Sequence, residues 1–358
     1  MIFNEILMYI MALGVLLGGL DRICGNRFGL GAKFEEGFQL MGPIALSMAG
    51  IVCLTPVIGQ VSGLCLSPLL GKLGIDPAIC GGILPVDAGG YQLSVELAAD
   101  GKLGQFAGVI VGATFGCCLT FVIPVGMGAL EETQRQDFAM GLLVGLITLP
   151  AALVVGGLLC GLSIGTLLYQ SLPVLLLSAA LLVGLLKNRD GMLRGFEIFA
   201  LIIRILSTLG IMVSAIRYLT GWDIPIATAP LEDALATVCA IAIVLLGCLP
   251  MAELLKRALS GFVNWIGKKT GMNAASSTAM IVGFIIAMPA LTMLKNMDKR
   301  GRVVNGALMV CGASALSAHL GFVLGMAPEM VAPMLVSKLV GAVLAAAVAL
   351  MVTKSPVR

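Results

Sequence analysis

Long apolar stretches, each about the length of a membrane crossing, follow one another along the whole chain. They cover approximately residues 5–21, 38–59, 75–98, 104–130, 138–165, 167–186, 195–216, 234–255, 272–297, 303–327 and 330–353. A crossing α-helix needs about 20 apolar residues, and in lipid only helices or closed barrels satisfy their own backbone. Short polar punctuations separate the stretches, at Asp21 to Glu36, Glu131 to Asp137, Lys187 to Arg194 and Trp222 to Asp233. Two amphipathic pieces, about 60–74 and 258–271, are too short to cross and read as helices lying in the interface. Trp265 beside Lys268 and Lys269, and Trp222 beside Asp223, suit headgroup depth, where tryptophan sits best. The first residues lack the positive region of a signal peptide, so the first apolar run is expected to be a retained span.

The pattern repeats. Glu5-Ile6 corresponds to Glu197-Ile198, Phe34-Glu35-Glu36 to Leu231-Glu232-Asp233, and Thr55-Pro56 to Leu249-Pro250. Further on, Asp100 corresponds to Asp298, Gly112-Ala113-Thr114 to Gly312-Ala313-Ser314, and Gly141 to Gly341. The offset drifts only from about 192 to about 200. Residues 1–165 and 193–358 thus read as two repeats joined by a linker span over 166–192.

Lys and Arg decide how the stretches cross. If all eleven crossed, the two sides would hold nine and eleven, with no bias. If 75–98 and 272–297 dip in and return, one side holds seventeen of the 22, and the other only Lys72, Lys102 and Arg217. Arg204 and Lys338 fall within spans. The positive-inside rule selects the second arrangement: nine spans plus two re-entrant broken-helix segments, the N-terminus outside and the C-terminus cytoplasmic. The repeats are then inverted, the architecture of secondary transporters. The expected fold is therefore an all-α polytopic membrane protein of the inverted-repeat type.

Composition closes off other classes. The chain is 59% hydrophobic and 11% charged, with mean hydropathy +1.06, whereas a soluble domain is about a quarter charged. A net charge of +3 without a basic cluster offers no nucleic-acid footprint. One His and ten Cys buried in apolar runs suggest packing thiols and no metal. The signatures H-E-x-x-H, the Walker lysine loop and G-x-S-x-G are missing, and no enzyme or cofactor is expected. Ser317 lies two residues from His319, a spacing that points the side chains to different helix faces and argues against a protease pair.

Candidate chemistry lies in the two re-entrant segments and beyond. Pro85, Gly89 and Gly90 break a helix around Asp87. A carboxylate at membrane depth costs about 3 kcal/mol unless it faces a cavity or partner, so Asp87 is a counter-charge for a cationic substrate or a cap on the following half-helix. Tyr91 and Gln92 stand one turn on. In the second segment, Ser276, Ser277 and Thr278 are either hydroxyl ligands or small packing residues, and Pro289 offers a break. His319 is a candidate for substrate contact or titration. Arg204 and Lys338 read as structural, Lys338 reaching toward an interface.

The stretch Asn4-Glu5-Ile6-Leu7-Met8-Tyr9-Ile10-Met11 with Asp21-Arg22 resembles the opening of the ethanolamine permease family EutH. Phe34-Glu35-Glu36-Gly37-Phe38, Asp87-Ala88-Gly89-Gly90, Met297 to Asn305 and His319-Leu320-Gly321-Phe322 also resemble it, in order, out to about residue 350. The resemblance implies a bacterial inner-membrane protein that brings in ethanolamine for catabolism, with Asp87 and His319 carried over as site residues. The chain departs from the family pattern at Ala287-Met288 before Pro289, where asparagines are expected, and at Ala318, where an acidic residue is expected. A small ammonium with one hydroxyl suits one carboxylate, an aromatic face and a few hydroxyls. Membrane lipid surrounds such a protein, and a homodimer is the simplest expected assembly. The competing readings are a carrier for another small solute, such as a carboxylate held by Arg204 or Lys338, and a non-transporting sensor or assembly component.

Overall fold

A computed structural model describes residues 2–65, 67–222 and 225–353. Asp223, and Lys354 and Arg358 of the charge count, lie outside the described residues. The described chain is 85% helix, without strands. Six helices are long and apolar enough to cross a membrane, and a seventh if the bent pair Ile164–Gln170 and Leu172–Leu185 is one span.

The helices, in chain order, are α1 (Ile2–Ile23), α2 (Leu30–Gln39), α3 (Gly50–Cys65), α4 (Ala78–Gly81), α5 (Gly90–Leu97) and α6 (Gly101–Gly128). Then come α7 (Glu132–Leu159), α8 (Ile164–Gln170), α9 (Leu172–Lys187), α10 (Arg189–Thr220), α11 (Leu231–Ala258) and α12 (Ser260–Thr270). The last are α13 (Ala274–Ile285), α14 (Ala287–Met293), α15 (Lys299–Gly312), α16 (Ala318–Met326) and α17 (Val331–Val352). Several expected spans are not single uninterrupted α-helices. The 38–59 stretch enters α3 through a π-helical turn at Ala45–Ala49, and the 303–327 stretch unwinds between α15 and α16.

One bundle is built from α1, α2, α3, α10 and α11. Its helices cross at glycines, where backbones touch directly. A Cβ at Gly14 of α1 would stand 2.2 Å from Gly247 O of α11, and one at Gly210 of α10 would stand 2.0 Å from Gly50 O of α3. The turn from α1 to α2 is held by Asp21, whose carboxylate accepts from the N–H groups of Phe28, Leu30 and Gly31 at 2.8–2.9 Å. Those of Leu30 and Gly31 are helix-start donors that would otherwise lack partners. In α12, Phe262 stacks on Trp265 at 5.8 Å, the Lys269 ammonium lies 4.8 Å over the Trp265 ring, and both rings face outward.

The second bundle packs α7, α15 and α17 around α6, which is almost wholly buried. Gly141 of α7 brings that helix onto Val303 O of α15 (2.2 Å to an added Cβ), and Arg302 pairs with Asp137 at 2.9 Å across the same contact. Within α6, Phe106–Gly116 is π-helical. Its i→i+5 bonding widens the turn, so glycines four residues apart stay on one side. Gly112 and Gly116 there press against the backbone of residues 82–86.

Two helix–break–helix hairpins lean on this bundle. Each leaves and returns at one point, because an acidic side chain ties its two ends together. Asp76 accepts from Ala78 N (2.9 Å), Ala99 N (3.1 Å) and Asp100 N (3.0 Å), closing the first hairpin at its base. Asp298 accepts from Asn273 N (3.1 Å) and the Ser276 hydroxyl, closing the second. Gln170, at the end of α8, accepts from Asp76 N at 2.7 Å and donates to Gly74 O at 2.9 Å, so the linker segment braces the entry to the first hairpin.

Candidate functional site

The first hairpin breaks because Pro85 supplies no N–H and Gly89 takes φ +90°, a left-handed turn that favours glycine. Between them Val86–Ala88 forms a single 3₁₀ turn, and α5 starts at Gly90. Asp87 sits in that turn. The N-cap of α5 is Gly89, and the Asp87 carboxylate faces the interior, 26% exposed.

The opposite wall comes from the unwound stretch 313–317. Ser314, at φ +54°, donates its N–H to Gly283 O at 3.0 Å, and its hydroxyl accepts from Ala287 N at 3.1 Å. Leu316 N donates to Phe284 O at 3.3 Å. The gap in one helix thus satisfies the backbone exposed by the break in the second hairpin, as buried polar groups require. α16 begins immediately afterwards, which sets His319 in its first turn. His319 Nε2 lies 3.9 Å from Asp87 Oδ1. One helical turn on from each, the rings of Tyr91 and Phe322 meet edge to face, with centroids 5.8 Å apart at 74°.

Close to this pair along the chain, several buried polar atoms have no protein partner: both amide atoms of Gln92, His319 Nδ1 and Ser317 Oγ. Buried polar atoms are almost always satisfied, so this cluster is set up for a small polar guest or water. Two contacts with the first bundle put the cluster at the boundary between the bundles. Gly89 rests against Ile51 of α3, and Gly321 against Leu245 of α11.

Lys338 overturns one expectation. Instead of reaching toward an interface, it is fully buried on the inward face of α17 and donates to Ala113 O of α6. Its neighbours on that face, Ser337 and Gly341, are packed against α7 and α15, so the side chain points into the bundle and the nearest acceptor is a backbone carbonyl. From there it attracts Asp87 through the interior. Arg204 is exposed on α10, outside the cluster.

The serine–threonine stretch is not brought to Asp87. Ser276 donates to Asp298 and receives from Asn273 Oδ1 at 2.8 Å, and the Ser277 hydroxyl donates to Asn273 O at 3.0 Å. Both serve the base of the second hairpin. Thr278 lines a groove with Lys256, Arg257 and Ser260. A second groove, where Lys33, Glu36, Glu253 and Lys256 face Ile286 and Pro289, leads to the break of the second hairpin. Sequence reasoning passed over Phe322, Ser314 and the inward aim of Lys338. For Lys338 a signal existed, in a charge on the same face as Gly341, Ala342 and Ala345.

Membrane-length helices around a largely buried carboxylate–imidazole pair define a multi-pass membrane protein with polar groups in its interior. The chain belongs to the EutH family: the family described as "Ethanolamine utilisation protein, EutH" matches residues 3–352. It is 38% identical to the probable ethanolamine permease EutH of Listeria monocytogenes, over 97% of this chain and 94% of the relative. It is 35% identical to the probable ethanolamine permease EutH of Escherichia coli, over 97% of this chain and 95% of the relative. The protein of the same name from Salmonella typhimurium is 34% identical over the same shares. No solved structure matches.

Proposed function

We propose that the protein carries protonated ethanolamine into the cell across the bacterial cytoplasmic membrane. The observation that carries this reading is the meeting of Asp87 with His319, from segments far apart in the chain, with the second imidazole nitrogen left unsatisfied. The names of the relatives supply the substrate. Asp87 would oppose the ammonium, the edge-to-face pair Tyr91–Phe322 would wall the two-carbon chain, and Gln92 and His319 Nδ1 would reach the hydroxyl.

In this reading the two hairpins are re-entrant and the halves inverted. The glycine crossings support it. Gly14 and Gly210 lie 196 positions apart, Gly50 and Gly247 197 apart, within the offset of the duplication. Exchanging the halves turns the Gly14–Gly247 contact into the Gly210–Gly50 contact. The first bundle is then the fixed wall, and the hairpins with their following helices the moving part. The N-terminus lies outside, the C-terminus inside, and nine spans cross.

Uptake of radiolabelled ethanolamine into proteoliposomes, with amines and carboxylates as competitors, tests the function. The reading expects saturable uptake, competition by small amines only, and loss with Asp87→Asn. Wild-type uptake by Asp87→Asn, or competition by carboxylates, would refute the site. For the topology, cysteines placed at Lys72 and Lys102 should label from one side, and cysteines at Lys268 and Lys299 from the other.

A further inference from the structure

Lys338 is the one charged side chain, among the described residues, with no exposed surface at all, and the carrier reading gives it no task. A purely structural role would be served by any donor to Ala113 O. A full charge in the same interior as the substrate site has a further consequence. With the site empty, the Asp87 carboxylate and the Lys338 ammonium sum to zero. A substrate ammonium arriving at Asp87 would leave a net positive charge buried, and an uncompensated buried charge is strongly unfavourable. Lysine, unlike arginine, can give up its proton in such surroundings. The neutral amine still has N–H groups, so the bond to Ala113 O survives the change.

We propose that Lys338 is the coupling residue of the carrier, exchanging one proton for each substrate ammonium. This rests on the carrier reading above and adds its driving force. As the ammonium settles on Asp87, an N–H bond of Lys338 breaks, the electron pair stays on Nζ, and the proton passes to water on the side of entry. When the substrate leaves on the other side, a proton from water there re-forms the N–H bond. The buried net charge is zero in both states, so the loaded and the empty carrier can cross equally. The titratable groups whose charges are felt at the Lys338 ammonium are Asp87 of the first hairpin, Cys117 and Cys118 of α6, Cys311 of α15 and His319 of α16. On α7, Ala152 and Gly156 meet Ser337, the neighbour of Lys338, and carry no titratable group. Asp87 is thus the only carboxylate in the set.

The test measures charge movement during ethanolamine uptake into proteoliposomes, above the flux of protein-free vesicles. A carrier that moves the cation alone would raise its accumulation about 50-fold at an inside-negative potential of about 100 mV. One-for-one exchange gives no response to potential, and about tenfold more accumulation for each pH unit by which the lumen is more acid. Lys338→Met should restore the response to potential, since it has no proton to give. Lys338→Gln, which keeps a donor for Ala113 O, is read in the same way if the methionine variant fails to insert. Wild-type uptake that follows the potential overturns the inference and leaves the carrier reading standing. So does a Lys338 variant that transports without responding to potential. Absence of wild-type uptake would instead sink the carrier reading itself.

Discussion

Replacing Gly116 with alanine isolates the contact that sets Asp87 in place. The added Cβ would stand 2.4 Å from Leu84 O, 2.7 Å from Leu84 C and 2.8 Å from Gly82 O. All three are backbone atoms, so no rotamer can relieve the clash. Ordinary contact starts near 3.4 Å, and the first hairpin must therefore retreat by about 1 Å. Asp87 is three residues beyond Leu84 and moves with it, away from a partner now 3.9 Å distant. Overpacking costs about 1–3 kcal/mol, and the helix gain of alanine over glycine returns about 1 kcal/mol. The expected net loss of stability is then only about 0–2 kcal/mol, while a 1 Å misplacement at a working site can cost on the order of 100-fold. Uptake should accordingly fall at least tenfold while thermal unfolding in detergent shifts little. Gly112→Ala, whose Cβ would meet Leu84 O at 3.1 Å, should fall between, and Gly101→Ala, with nothing within 4 Å, should behave as wild type. Full uptake by the Gly116 variant, or no grading across the three, would refute the claim that this glycine face positions the carboxylate.

Other perturbations read separate parts of the structure. Asp76→Ala orphans three backbone donors at the base of the first hairpin. It should lower stability by about 2–3 kcal/mol, measured by thermal size-exclusion melting. Tyr91→Ala removes the edge-to-face contact with Phe322, worth about 0.5–1.5 kcal/mol. It should weaken half-saturation for ethanolamine several-fold, whereas Tyr91→Phe should remain near wild type. Asp137→Asn breaks the half-hidden pair with Arg302 that joins α7 to α15. A drop of about 3 kcal/mol in stability is expected, with unchanged apparent affinity in the fraction that stays folded.

The apolar runs made most of the long helices legible, because in lipid the hydrophobic length of a segment is nearly its structure. Asp87 and His319 were also legible, as ionisable groups standing in apolar sequence. What escaped was decided by partners distant in sequence. No proline marks the unwinding at 313–317. It follows from Ser314 and Leu316 bonding to the broken second hairpin, which a linear reading cannot see. The hydroxyls of Ser276 and Ser277 looked available, yet Asn273 before them is a helix N-cap whose side chain accepts from Ser276 N. That pattern could have marked them as part of a helix start. Lys338 was misdirected because snorkelling is the usual resort of a lysine in a span, and the carbonyl that holds it lies on a helix more than 200 positions earlier.

The glycine crossings of the first bundle also limit what the molecule can do mechanically. With no side chain between them, α1 and α11, and α3 and α10, are interlocked like notched beams. Sliding one past the other by a helical turn, about 5.4 Å, would carry the glycine away from a carbonyl that has room only for hydrogen. Such joints resist shear while leaving the beams' outer flanks, rich in exposed leucine and isoleucine, free to rest against lipid. In the carrier reading, any large displacement during turnover would therefore fall to the hairpins, travelling with their ends tied.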